Sequence, residues 1–314
     1  MKSTSRFLLA TALLTLAPLA AHAKIERTIE KTFTVQAGGT LHVDTQGGEV
    51  RVSPSADNVV KITARERIRA SSDSEADELL KDLTLTIEQA GNDVTASAKY
   101  GSQPLGFHFG SWPPVNVDFI VTVPASFAAD IHTSGGGINI GDLNGKVNAR
   151  TSGGSIKLGK LGGEVDARTS GGGVSLEESQ GAAVLHTSGG SITVGRVMGP
   201  AELSTSGGGI KVDSVQGALQ AHTSGGSVRA SIAGPLKEDC VLSTSGGGVK
   251  VNVDKAAAFH LDASTSGGDV DAAGMTITME SSNRSHSRLA GTVNGGGPLL
   301  KLRSSGGDIV VRTN

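Results

Sequence analysis

Threonine, serine and glycine recur in this chain at a spacing that first suggests chemistry. Thr-Ser-Gly-Gly begins at Thr133, Thr151, Thr169, Thr187, Thr205, Thr223, Thr244 and Thr265; Ser304-Ser305-Gly306-Gly307 closes the series, and Thr45-Gln46-Gly47-Gly48 is an early echo. A serine nucleophile works as one residue activated by its own base. Eight equivalent serines argue instead for a structural role. Glycine-rich phosphate loops continue into Gly-Lys-Ser or Gly-Lys-Thr, and these do not. The repeat therefore offers no catalytic residue and implies no cofactor. Two other sets could bind without reacting. Lys157, Lys211, Arg229 and Lys250 share one position of the repeat, mixed with Asn139, Ser175 and Thr193, and would present a cationic ladder to an anionic polymer such as envelope polysaccharide. The same residues serve equally as a solvated face that keeps a sheet from aggregating. Phe107, Phe109 and Trp112 gather in one loop, either as a recognition patch or as rings that cover the open end of a repeat array.

The spacing also specifies an architecture. The first five intervals between motif threonines are 18 residues and the next two are 21, and a fixed period means stacked structural units. With the threonine as position one, positions six and eight are apolar, as in Ile138 and Ile140, Ile156 and Leu158, or Ile192 and Val194. Position thirteen is Gly145, Gly163, Gly181, Gly199 and Gly217, and positions fifteen and seventeen are small or apolar, as in Val147 and Ala149. Two short alternating strands and two glycine-bearing turns make each period one coil of a parallel β-solenoid. About nine coils at ~4.8 Å each give a rod on the order of 40 Å. Continuing the alternation turns the motif threonines inward, where hydroxyls bond from coil to coil; the glycines then make the corner by adopting backbone angles that other residues avoid. Position five alternates Gly137, Ser155, Gly173, Ser191, Gly209, Ser227 and Gly248, which suggests a doubled coil as the unit of duplication.

In this frame His132, His186 and His222 share an outward column but stand roughly 14 Å and 10 Å apart, too far to ligate one metal ion at ~2 Å. Arg150 and Arg168, in the same column, can reach Asp166. A calcium-binding roll would need glycine and aspartate where this chain has Ile138 and Ile140. Cys240 falls on an inward column once the insertions are allowed for, as a small buried apolar residue.

The chain around the array reads as an exported protein. Lys2 and Arg6, an apolar run from Phe7 to Ala21, and Ala21-His22-Ala23 describe a signal peptide over residues 1–23, too short to be a good membrane span. Its removal takes the formal charge from −2 to −4, with no pull toward nucleic acid. No cysteine follows the cleavage site to carry a lipid, and Val310 to Asn314 offers no apolar anchor, so a soluble periplasmic or secreted chain is expected. Residues 24–130 form a β-rich N-terminal cap region. Its strands centre on Thr32 to Val35, Leu41 to Val43, Val50 to Val52, Val59 to Ile62, Leu85 to Glu88, Val94 to Ala98 and Val115 to Val123. One short helix is expected, from a Ser72/Glu75 capping box and an apolar stripe of Ala76, Leu79, Leu80 and Leu83. Residues 131–314 form the solenoid, with an insertion near 273–298. Within it Ser281 to Arg288 makes a protruding hairpin or loop, and Asn294-Gly295-Gly296-Gly297-Pro298 turns the chain back.

Several stretches together carry a resemblance: Phe33-Thr34-Val35, Leu41 to Val52, Val115 to Pro124 ending in Val-Pro, the serial Ser-Gly-Gly coils and the Asn-Gly-Gly-Gly-Pro turn. The chain resembles the bacterial adhesin-like family of exported β-strand-repeat proteins, a domain family of unknown function. It is similar, more distantly, to the head domain of autotransporter adhesins. The resemblance covers most of the mature chain, implies an all-β solenoid, and carries no catalytic residue across. It implies an adhesion or envelope role, with envelope polysaccharide or another surface protein as partner. Two function classes follow: a non-catalytic interaction or structural module, and a carbohydrate-active solenoid enzyme or anionic-polysaccharide binder.

Overall fold

Period-two alternation of apolar and polar side chains makes strands of nearly the whole chain. The structure, a computed structural model, describes residues 25–101 and 113–313. The expected leader, Phe107 and Trp112 lie outside these residues. The first strands are β1 (Ile25–Thr34), β2 (Thr40–Thr45), β3 (Val50–Ser55) and β4 (Val59–Ile68). After α1 (Asp73–Leu80) come β5 (Leu83–Ala90), β6 (Asp93–Tyr100) and β7 (Val115–Pro124). The repeats then supply paired strands: β8 (Ala128–Thr133) with β9 (Ile138–Ile140), β10 (Val147–Thr151) with β11 (Ile156–Leu161), and β12 (Val165–Thr169) with β13 (Val174–Ser179). They continue as β14 (Ala183–Thr187) with β15 (Ile192–Val197), β16 (Ala201–Thr205) with β17 (Ile210–Val215), and β18 (Leu219–Thr223) with β19 (Val228–Ile232). Next are β20 (Cys240–Thr244) with β21 (Val249–Val253), and β22 (Phe259–Thr265) with β23 (Val270–Asp271). A hairpin of β24 (Ile277–Ser285) and β25 (Arg288–Val293) precedes the last pair, β26 (Leu299–Ser304) and β27 (Ile309–Thr313).

Each coil contributes one strand to each of two sheets, of 13 and 14 strands, that face each other along the rod. The repeat strands are parallel and pair in step with the period: Ile156 lies between Ile138 and Val174, and Thr169 between Thr151 and Thr187. The inward columns at positions six, eight, fifteen and seventeen are buried throughout the regular coils, from Ile138 and Val147 to Val212 and Ala221. A further column at position eleven, Leu143, Leu161, Ser179, Val197 and Val215, is buried as well. Two outward residues in succession before it shift the phase of the alternation, so a strict period of two does not reveal it.

The stack extends beyond the Thr-Ser-Gly-Gly coils. Thr45 pairs with Thr133, and Val50 with Ile138, so β2 and β3 form a coil in the same register. Beyond it β6 pairs with β2 and β7 with β3, both in parallel. At ~4.8 Å per strand the rod is roughly 60 Å long. Coils do not follow chain order at either end. β2 and β3 sit between β6/β7 and β8/β9, and β26 and β27 sit between β20/β21 and β22/β23. The Thr265 coil is thus separated from the Thr244 coil by the coil of Ser304, whereas simple succession would have made them neighbours. This intercalation keeps the first and last pairs away from the stack ends, where edge backbone would be exposed.

The ends are closed by other elements. At one end β1 and β4 are antiparallel additions to one sheet and β5 to the other. The Lys31 ammonium donates to the Ile87 carbonyl at 2.7 Å and the Gln89 amide to the Thr34 carbonyl at 2.9 Å, tying β1 to β5 across the opening. Helix α1 packs there through buried Ala76. Ser72 accepts from the Glu75 N–H at 3.2 Å, while the Glu75 carboxylate accepts from the N–H of Ser71, one residue beyond the N-cap that a standard capping box would use. Leu83 belongs to β5 and not to the helix. At the far end the β24–β25 hairpin covers β22, and Met275, Ile277 and Leu289 pack on the core. Asn294, Gly295 and Gly296 turn the chain back with three successive positive φ values of 50°, 92° and 86°.

The corner glycines are required for a different reason from the one expected. None of the Thr-Ser-Gly-Gly glycines has positive φ. What excludes a side chain is proximity: a Cβ on Gly154, Gly172, Gly190, Gly208 or Gly226 would overlap the carbonyl of the equivalent glycine one coil before. The motif's first glycine is less crowded: a Cβ on Gly153, Gly171, Gly189, Gly207 or Gly225 meets a backbone carbonyl oxygen at 2.8–3.2 Å, and Gly135, at the first coil of the series, meets nothing closer than 3.6 Å. Gly190→Ala is therefore expected to destabilise the rod by about 3 kcal/mol. Gly135→Ala should stay within about 0.5 kcal/mol of the parent, both read from urea unfolding midpoints.

Candidate functional site

The conspicuous corner is a backbone device. Thr187 is fully buried; its hydroxyl donates to the Gly172 carbonyl at 2.7 Å and accepts from the Gly190 N–H at 3.2 Å. Thr133, Thr151, Thr169, Thr205, Thr223 and Thr244 make the same downward bond to Gly48, Gly136, Gly154, Gly190, Gly208 and Gly226, at 2.7–2.9 Å. Thr265 donates to Gly307 and Ser304 to Gly247, each at 2.8 Å. The hydroxyls do not bond to one another, contrary to the hydroxyl column read from the alternation. The second glycine's carbonyl leaves the strand ladder at the corner, and among the described residues no backbone N–H donates to it. The buried threonine supplies the missing donor. The motif serines face solvent.

The same principle explains the alternation at position five. The Ser155 hydroxyl accepts from the Gly173 N–H at 3.2 Å, Ser191 from Gly209 at 3.2 Å and Ser227 from Gly248 at 3.3 Å. Asp308 does so for Asp269 at 3.0 Å and Asp118 for Glu49 at 2.8 Å. In the regular coils a side chain at the receiving position would crowd the next serine: a Cβ on Gly173 lies 3.0 Å from the Ser191 carbonyl oxygen. An acceptor in one coil and a glycine in the next make the doubled coil a hydrogen-bonded pair.

The ladder residues are all exposed on the outer face of one sheet, but they are not contiguous. Lys211 pairs with Arg229 and Arg229 with Lys250 in adjacent strands, whereas Lys157 stands on β11, three strands away from Lys211. Lys211 is bound to Asp213 at 2.8 Å. Neither Arg229 nor Lys250 has an ion-pair or hydrogen-bond partner among the described residues. On the opposite sheet Asp166 holds Arg168 at 2.8 Å and Arg150 at 3.5 Å. His132, His186 and His222 lie on that face, His222 sharing a 2.9 Å hydrogen bond with Ser243. Among the described residues no three His, Cys, Asp or Glu side chains are grouped to hold a metal ion. Cys240 is buried, and desolvation pushes its thiol pKa up, away from the reactive thiolate. No helix among the described residues is long and apolar enough to cross a membrane.

Two features escaped the sequence pattern. A depression of about 450 Å³ lies under the far hairpin, lined by Val270, Met275, Ile277, Met279 and Leu289, with Asp271 on its edge paired to Arg312 at 2.5 Å. Glu66 takes an inward position of β4 otherwise held by Val60, Ile62, Ala64 and Ile68, and is 5% exposed. Burial raises its pKa, opposed by Arg27 directly across on β1, whose guanidinium also binds Asp77 of α1 at 2.6 Å. An acid within the charged run Arg65-Glu66-Arg67 gives no sign in sequence that it faces inward.

The family profile described as Toastrack DUF4097 matches residues 39–312. No curated protein matches significantly. Among solved structures, a "putative adhesin" from Bacteroides fragilis is 12% identical, covers 92% of this chain and 97% of its own, and superposes with a TM-score of 0.40. A "putative adhesin" from Parabacteroides distasonis is 13% identical over 92% and 97%, with a TM-score of 0.36. A "putative cell adhesion protein" from Clostridium sporogenes is 12% identical over 92% and 100%, with a TM-score of 0.23.

Thr187→Val removes the donor for Gly172 and the acceptor for Gly190 at constant volume, and should cost about 2 kcal/mol. Thr187→Ser keeps both bonds and should cost about 1 kcal/mol for the lost methyl; denaturant unfolding distinguishes them. The raised pKa of Glu66 means that the folded state holds its proton to higher pH than the unfolded chain does. Its penalty is absent below the unfolded pKa and grows as pH rises toward the folded value. Glu66→Gln should gain about 1 kcal/mol at neutral pH and flatten the fall in Tm between acid and neutral pH.

Proposed function

The chain belongs to the Toastrack DUF4097 family, and on that premise we propose that it is an exported, non-catalytic, adhesin-like interaction module of the cell envelope. The observation that carries this reading is the assignment of the repeated polar residues. The threonines that dominate the sequence are bonded to corner backbone, and the position-five serines to the next coil. What the rod offers outward is in-register columns repeated every coil on two sheet faces. Such a surface suits an extended partner, since equivalent groups recur at ~4.8 Å along one axis. The leader-like composition of residues 1–23 supports export to the periplasm or beyond the cell.

Fractionation of the tagged full-length chain tests the reading. The mature protein should begin at Lys24 by mass spectrometry and sediment with the envelope, or with cells when added from outside. A free periplasmic protein without a partner would remove the adhesive role. Release of reducing ends from envelope polysaccharide would favour a solenoid enzyme instead.

A further inference from the structure

We propose that the sheet face carrying Lys211, Arg229 and Lys250 binds a linear acidic polysaccharide laid along the rod axis. This rests on the interaction-module reading and gives it a ligand class. Three observations converge on these coils. First, the three cations occupy successive strands in direct register, spanning about 10 Å at ~4.8 Å per step. Second, Arg229 and Lys250 are exposed and unpaired among the described residues, although most other guanidinium groups of the rod, including Arg150, Arg168, Arg303 and Arg312, are held by a carboxylate. They border a shallow depression of about 280 Å³ whose floor includes Ser227, Gly248 and Val310. Third, the uniform rod is interrupted beside them. The loops after β19 and β21 carry the insertions that lengthen the period from 18 to 21 residues, and they expose Lys237 and Lys255.

Neighbouring acids define where the charge is available. Asp213 engages Lys211, and Asp308, which also lines the depression, uses its carboxylate to accept from the Asp269 N–H. Glu238, Asp239 and Asp254 lie on the same loops, where Asp239 accepts from the Leu299 N–H and Asp254 from the Ala256 N–H. These carboxylates keep their charge, but among the described residues none forms an ion pair with Arg229 or Lys250, so those two cations are left open to a ligand. Evenly stepped cations on a flat face match a polymer with regularly recurring anions. Single-stranded nucleic acid is disfavoured because its binding sites pair cations with aromatic stacking platforms, and residues 131–314 contain no tryptophan or tyrosine.

The full chain should be tested on immobilised heparin and polygalacturonate, with neutral dextran and single-stranded DNA as comparisons. Retention on an acidic polysaccharide at low salt, lost by about 0.5 M salt, is expected. Arg229→Ser with Lys250→Ser should weaken it at least about tenfold, whereas Lys157→Ser and the charge-conserving Arg229→Lys with Lys250→Arg should retain it. The assignment is overturned if the parent binds neither acidic polymer, binds dextran equally, prefers DNA, or is unaffected by the Arg229/Lys250 double substitution to serine in a variant with parental circular dichroism and Tm. Should that variant not fold, loss of binding in Lys250→Glu alone decides the matter, and parental binding there overturns the assignment. Envelope sedimentation of the same proteins separates the two ideas. Sedimentation without polyanion binding removes only the ligand class, and failure of the parent to sediment removes the interaction module itself.

Discussion

The closest constraint in this molecule is the approach of one corner backbone to the next. At the second glycine of each Thr-Ser-Gly-Gly the equivalent carbonyl of the preceding coil occupies the space a Cβ would need. That contact sets coil spacing at the corner to the spacing of hydrogen-bonded strands, so both sheets can run in unbroken register. It also strands a carbonyl, and the threonine three residues earlier in the motif meets the equivalent carbonyl of its neighbouring coil. Glycine, threonine and the inward aliphatic columns thus form one requirement expressed at three positions.

Much of this architecture was legible because a solenoid repeats its evidence. A single Ile138–Ile140 pair would be an ambiguous short strand; the same pattern recurring every 18 residues, with glycine always at position thirteen, identifies a coil and its inward faces. The details that resisted reading are those that occur once or depend on partners remote in sequence. Alternation could turn Thr187 inward but could not show that its partner would be Gly172 O and not another hydroxyl. Glu66 looked like one charge among several, since its environment depends on Arg27, which lies across it on β1 and is held by Asp77 of α1. Of the cationic ladder, the shared repeat position was visible. The separation of Lys157 from the other three was implicit in the spacing, but the freedom of Arg229 and Lys250 from carboxylates emerged only from side-chain placement.

The two ends solve a common problem with different parts. A stack of parallel coils exposes unpaired backbone at its last strand, an invitation to edge pairing with another chain. Antiparallel additions, β1, β4 and β5 with a helix, terminate both sheets at one end; at the other the β24–β25 hairpin is added to the 14-stranded sheet, while the 13-stranded sheet ends in the two-residue β23, whose Val270 N–H donates to the His286 carbonyl of the hairpin turn at 2.8 Å. The charged side chains Glu26, Arg27, Glu30 and Lys31 on β1 further discourage addition of a foreign strand.

The intercalated coils at both ends have a consequence for how the molecule assembles. β22 and β20 carry the same inward pattern, so before residues 299–313 arrive each offers the other a nearly correct partner. The native order instead places β26 between them. A chain that emerges N-terminus first cannot therefore complete this rod by laying down coils in succession. Its last two coils must wait, or separate again, to admit a later segment, making closure of the far end the step most exposed to kinetic trapping.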